Sequence, residues 1–119
     1  MKLIHVTIAI KDLKESMDFY QNVIGLPVKR HFMSGGAEIV FLGDGETDVE
    51  LIYNNTQTDF SFGQDISLGF AVDSLQDVMS LLQQKGIEAG EIIQPNPHVR
   101  FFYISDPNGV KIQFVENMA

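Results

Sequence analysis

The sequence predicts an α+β fold of two βαβββ modules, their strands forming a cupped mixed β-sheet with the helices on the outer face. Three observations carry this. The stretch HVTIAIKDLKESMDFYQNVIGLP is matched, after a shift of 62 positions, by SLGFAVDSLQDVMSLLQQKGIEA, so that His5 falls on Ser67 and Leu13 on Leu75. Each copy passes from a strand-like run through a helix-start signal to a glycine. Each is then followed by three further extended segments, which makes the repeat unit βαβββ rather than a bare βα pair.

The first strand runs from Leu3 to Ile10, and Asp12 followed by Glu15 three residues on has the spacing of a helix capping box. Leu13, Met17, Tyr20 and Ile24 recur at helical spacing, and Gly25 stands where a helix C-terminus favours a left-handed residue. KRHFMSG, AEIVFLG and DVELIYN complete the first module, about residues 1–54. The polar NNTQTDFSFGQ reads as a connector at about 55–64, and the second module occupies about 65–117. There the strand Ser67 to Val72 leads to a helix with Leu75 and Met79 in the places of Leu13 and Met17, ending at Gly86. EAGEII, VRFFYIS and VKIQFVE supply the last three strands, and DPNG between the final two has the residue order of a tight type I turn.

With 119 residues and 45% apolar content, the chain has the size and apolar mass of one compact domain. Its opening residues read neither as a membrane span nor as a cleavable signal peptide, which predicts a soluble protein of the cytoplasm. The absence of cysteine excludes disulfides, thiolate ligands and a cysteine nucleophile. A formal charge of −8 argues against nucleic acid and anionic membranes as partners and favours small molecules.

Alternation along the strands sorts the side chains into two faces. If Ile4, Val6, Ile8 and Ile10 pack under the helix, His5, Thr7 and Ala9 look the other way, together with Asp48, Glu50 and Ile52. In the second module Ser67, Gly69 and Ala71 share that face with Lys111, Gln113 and Val115. Pairing across the DPNG turn is expected to add Arg100, Phe102 and Ile104 to it. A floor of small and apolar residues with His5, Glu50, Arg100, Lys111 and Gln113 projecting from it is the composition of a ligand cavity.

The duplicated unit, with His in its first strand, Glu in the last strand of module one and DPNGVKIQF near the end, resembles the vicinal oxygen chelate superfamily. That group includes glyoxalase I, extradiol dioxygenases and bleomycin-resistance proteins. The resemblance implies that each module gives one metal ligand from its first strand and one from its last. Those positions are His5, Glu50, Ser67 and Gln113, and Gln113 lies 63 after Glu50 much as Ser67 lies 62 after His5. His5 and Glu50 suit Ni, Zn, Co or Mn, whereas Ser67 and Gln113 depart from the usual His and Glu, which leaves the metal set incomplete.

Two activities follow from the resemblance. One is a glyoxalase-like lyase or isomerase of the lactoylglutathione lyase kind, with Glu50 as the catalytic base and metal held by His5, Glu50 and weakly by Gln113. Arg100, Phe102, Lys111 and Ser67 would then bind a substrate bearing a carboxylate or phosphate. The other is metal-free sequestration of a drug, as in bleomycin-resistance proteins. Either implies a homodimer, with module pairing within a chain or across two. His31 and His98 are expected to have surface roles.

Overall fold

The computed structural model describes residues 1–118. It has the expected α+β architecture of two βαβββ modules. The elements are β1 (His5–Ile10), α1 (Leu13–Asp18) running on as a π-helical turn (Phe19–Val23), β2 (Val28–Ser34), β3 (Ala37–Leu42) and β4 (Asp48–Tyr53). They continue with β5 (Ser67–Ala71), α2 (Leu75–Gln84), β6 (Ile93–Asn96), β7 (Val99–Ser105) and β8 (Lys111–Asn117). The chain divides into two compact units, Met1–Ser61 and the remainder from Phe62. Each holds its own four-stranded sheet, in the orders β1-β4-β3-β2 and β5-β8-β7-β6. In both, the first strand pairs in parallel with the last and the other neighbours are antiparallel, so both sheets are mixed.

The helix starts are built as the sequence predicts. Asp12 accepts the backbone N–H of Glu15 at 2.8 Å, and Ser74 accepts that of Asp77 at 3.2 Å. The buried stripe of the first helix differs from the expected one. Ser16, Phe19, Tyr20 and Val23 are buried, while Leu13, Met17 and Ile24 are only half-buried. The stripe is still helical in period but is rotated by about one residue, and Tyr20 alone belongs to both versions.

The π turn explains a small irregularity in the repeat. Leu13 and Leu75 are 62 apart but the closing glycines, Gly25 and Gly86, are 61 apart, so the first helix carries one extra residue. Ile24 donates to Phe19 O five residues back and Leu26 to Tyr20 O six back, which is how a π turn absorbs a single insertion without breaking the helix.

Ile8, Ile10, Val40, Leu42, Val49 and Leu51 form the buried face of the first sheet, and Phe102, Ile104, Ile112 and Phe114 that of the second. Ile4, expected under the helix, is exposed because β1 begins only at His5. The expected strand EAGEII is replaced by β6 at Ile93–Asn96, whose Pro95 an edge strand tolerates. Among the described residues no helix is long and apolar enough to cross a membrane.

Candidate functional site

In the first module the parallel pairing sets His5 opposite Asp48 and Thr7 opposite Glu50. His5 Nε2 stands 3.5 Å from Glu50 Oε1, and the Thr7 hydroxyl donates to that same oxygen at 2.6 Å. Glu50 is only 9% exposed, so its carboxylate would be costly to bury without such partners. The His5 side chain keeps 36% of its surface in solvent and meets the Phe41 ring edge-on, with centroids 5.6 Å apart. Phe41 pairs with Glu50 from β3, and Arg30 pairs with Phe41 from β2. Thr7, Glu50, Phe41 and Arg30 therefore make one row across four strands. The Arg30 guanidinium lies 4.2 Å from the centre of the Phe41 ring and has no carboxylate partner among the described residues.

Asp48 shares this face. Lys29 Nζ is 2.7 Å from its Oδ1 and also donates to Gly45 O at 2.8 Å. That buried carboxylate oxygen has charge compensation from Lys29 but no aligned hydrogen bond. Gly43 makes room for the arrangement, since a Cβ there would overlap the Asp48 carboxylate. Gly43→Ala is expected to displace Asp48, part it from Lys29 and cost about 1–3 kcal/mol, a shift readable as the urea midpoint of unfolding.

The second module repeats the frame with different chemistry. Ser67 is opposite Lys111, and Gly69 opposite Gln113, which makes Gln113 the positional counterpart of Glu50 and Lys111 that of Asp48. Tyr103 pairs with Gln113 as Phe41 does with Glu50. Gln113 Nε2 donates to Tyr103 Oη over a long 3.4 Å, and its Oε1 lies 3.2 Å from where a Cβ on Gly69 would stand. The position that supplies Thr7 in module one is thus kept bare here. Lys111 Nζ rests 4.3 Å from the centre of the Tyr103 ring. Tyr103, Ser105, Gly109 and Lys111 line an open cavity of about 770 Å³ with Gly63, Gln64 and Glu88.

The expected placement of Arg100 and Phe102 on this face is corrected. The observed partners are Ser105 with Lys111, Tyr103 with Gln113, Phe102 with Phe114 and Arg100 with Glu116. Asp106 N donates to Val110 O while Gly109 N donates to Asp106 O, so the connection is a type I turn followed by an extra residue, Gly109, at φ +98°. One added residue flips every side chain of a strand to the other face. Phe102 is consequently fully buried beside Phe114. Arg100 binds Glu116 at 3.1 Å, and Glu116 also accepts the Leu75 N–H at 2.7 Å at the start of α2. Both residues serve the packed side of the sheet, and Phe101 and Tyr103 take their places on the Gln113 face.

His5, Glu50, Ser67, Lys111 and Gln113 stand on the expected faces of their own sheets. The exposed His31 pairs with Glu38 at 2.6 Å, and His98 is also exposed. Sequence reasoning missed Arg30, Phe41 and Tyr103. Strand alternation, carried from Glu50 through the β3 and β2 hairpins, was the available signal for the first two. Among the described residues no group of three or more His, Asp or Glu could hold a metal ion. The donor set of the first module nonetheless fits a shared ion as two ligands, because bonds of about 2.1 Å at tetrahedral or octahedral angles put donors about 3.0–3.4 Å apart.

A model of the family described as Glyoxalase/Bleomycin resistance protein/Dioxygenase superfamily matches residues 2–114. The chain is 28% identical over 130 aligned positions to a lactoylglutathione lyase of Neisseria meningitidis, covering 100% of this chain and 93% of that protein. It is 29% identical over 130 positions to the lactoylglutathione lyase of Haemophilus influenzae, covering 100% and 95%. The crystal structure of a glyoxalase family protein from Bacillus cereus superposes with a TM-score of 0.85 at 21% identity, covering 100% of this chain and 95% of that one.

Proposed function

Because this chain belongs to the Glyoxalase/Bleomycin resistance protein/Dioxygenase superfamily, we propose that it is a glyoxalase-like small-molecule-binding protein with lyase or isomerase chemistry at His5 and Glu50. The observation that carries the reading is the 3.5 Å approach of His5 Nε2 to Glu50 Oε1 on two parallel strands, beside the Thr7 hydroxyl and the Phe41 ring. Thr7 holds one Glu50 oxygen; the other makes no hydrogen bond among the described residues and is the atom that takes and returns a substrate proton. Burial of Glu50 keeps competing water away from that proton. His5 and Glu50 would hold a divalent ion such as Ni, Zn, Co or Mn, which when bound supplies a Lewis acid for a substrate oxygen. With one imidazole and one carboxylate from the first module, such an ion would be held more weakly than by two imidazoles and two carboxylates.

The test is titration of metal-stripped protein with Ni²⁺, Zn²⁺ and Mn²⁺, followed by an isomerisation assay on a thiol–methylglyoxal hemithioacetal. Metal binding with turnover that requires Glu50 supports the lyase reading; absence of both overturns it. A second reading, metal-free sequestration of a drug, draws on the neutral Ser67 and Gln113, which such a role leaves without penalty. Exposed Leu3, Ile4, Phe32 and Met33 on the first module favour a homodimer, to be checked by light scattering.

A further inference from the structure

The two modules share one frame but carry opposite charge in it. At the three matched positions the first module presents His5, Asp48 and Glu50, two of them carboxylates. The second presents Ser67, Lys111 and Gln113, a hydroxyl, an ammonium and an amide. We propose that the second module binds the carboxylate or phosphate group of a small-molecule ligand, with Lys111 as its principal contact.

Four features favour an anion there. Lys111 has no carboxylate partner among the described residues, in a chain with 16 acidic residues and 8 basic ones. Its counterpart Asp48 is, by contrast, neutralised by Lys29. The ammonium is not a loosely solvated end, because it sits over the Tyr103 ring at 4.3 Å, which limits the positions it samples. It lines a cavity of about 770 Å³, large enough for a small organic molecule, and the neighbouring hydroxyls of Tyr103 and Ser105 add possible donors. Glu88, the one carboxylate of that lining, makes no ion pair with Lys111, so the ammonium is left for a ligand.

The same features disfavour a cation. An ammonium opposite Ser67 and adjacent in register to Gln113 repels a divalent ion, and neither Ser67 nor Gln113 brings a negative charge to offset it. What reads as decay of a metal half-site is on this view a change of ligand sign. The inference rests on reading these sheet faces as ligand-binding surfaces, but it does not require metal in the first module.

The test uses the full-length, metal-free protein and two probes, inorganic phosphate and acetate, with binding followed by amide chemical shifts. Saturable shifts at Lys111, Gln113 and Tyr103 with either probe are expected. Lys111→Met should weaken binding about tenfold or more, the loss of one charge-assisted hydrogen bond, while Lys111→Arg retains it. Lys111 is exposed, so neither variant threatens the fold. Gln113→Glu gives an independent check, because an added carboxylate should weaken phosphate binding further. No saturable shift with either probe, or equal affinity in Lys111→Met, overturns the proposal. Metal titration of the same preparation reports on His5 and Glu50 separately, so failure here is distinguishable from failure of the lyase reading.

Discussion

Phe102→Ala is expected to cost about 3–5 kcal/mol of folding stability, a large part of what a domain of this size has. The side chain is 0% exposed, its ring lies 5.5 Å from that of Phe114, and its strand is the central partner of both β6 and β8. Truncation would leave a cavity the neighbouring rings cannot close without leaving their rotamers. Thermal melting followed by circular dichroism would show it, and Phe102→Leu should retain a folded protein with a smaller loss if the alanine variant does not fold. Arg100→Met completes the comparison. It leaves the buried Glu116 carboxylate with the Leu75 N–H but without its guanidinium partner, and should destabilise the protein while leaving anion affinity intact. A melting temperature unchanged in Phe102→Ala would restore Phe102 to the ligand face.

That contrast shows where the sequence was legible. The βαβββ repeat could be read because several independent signals coincide in each copy: a capping residue, a helical period, a closing glycine and period-two strands. The faces of β1 and β4 were also legible, since their parallel pairing involves no turn and alternation from Ile8 and Leu51 fixes them. The face of β7 was not, because it depends on whether the DPNG connection closes on Gly109 or on Val110. Composition does not distinguish those closures. The backbone decides it through the Asp106 carboxylate, whose Oδ1 accepts the N–H groups of both Asn108 and Val110 at 2.8 Å and draws the extra residue into the turn. The rotated stripe of the first helix is a separate departure, since Ser16 rather than Met17 is already buried before the π turn begins at Phe19.

His5→Ala and Glu50→Ala should each weaken divalent-metal binding by about 100-fold or more, because even loss of a residue supporting a ligand costs about 10–100-fold. Thr7→Val measures that supporting role. It removes the 2.6 Å bond that fixes Glu50 Oε1 while preserving the shape of the side chain, so a loss of about tenfold is expected. The order His5→Ala and Glu50→Ala above Thr7→Val is what separates ligation from general destabilisation, since Thr7 is exposed and its replacement disturbs no core packing. Competition with a fluorescent chelator gives the affinities, and denaturation midpoints of the same variants give their stabilities. If His5→Ala binds metal as the parent does, the imidazole serves only its edge contact with Phe41, and Glu50 is a buried carboxylate held by Thr7 for structural reasons. If all three lose metal in the expected order while melting normally, the first module binds metal through His5 and Glu50, with Thr7 fixing the carboxylate.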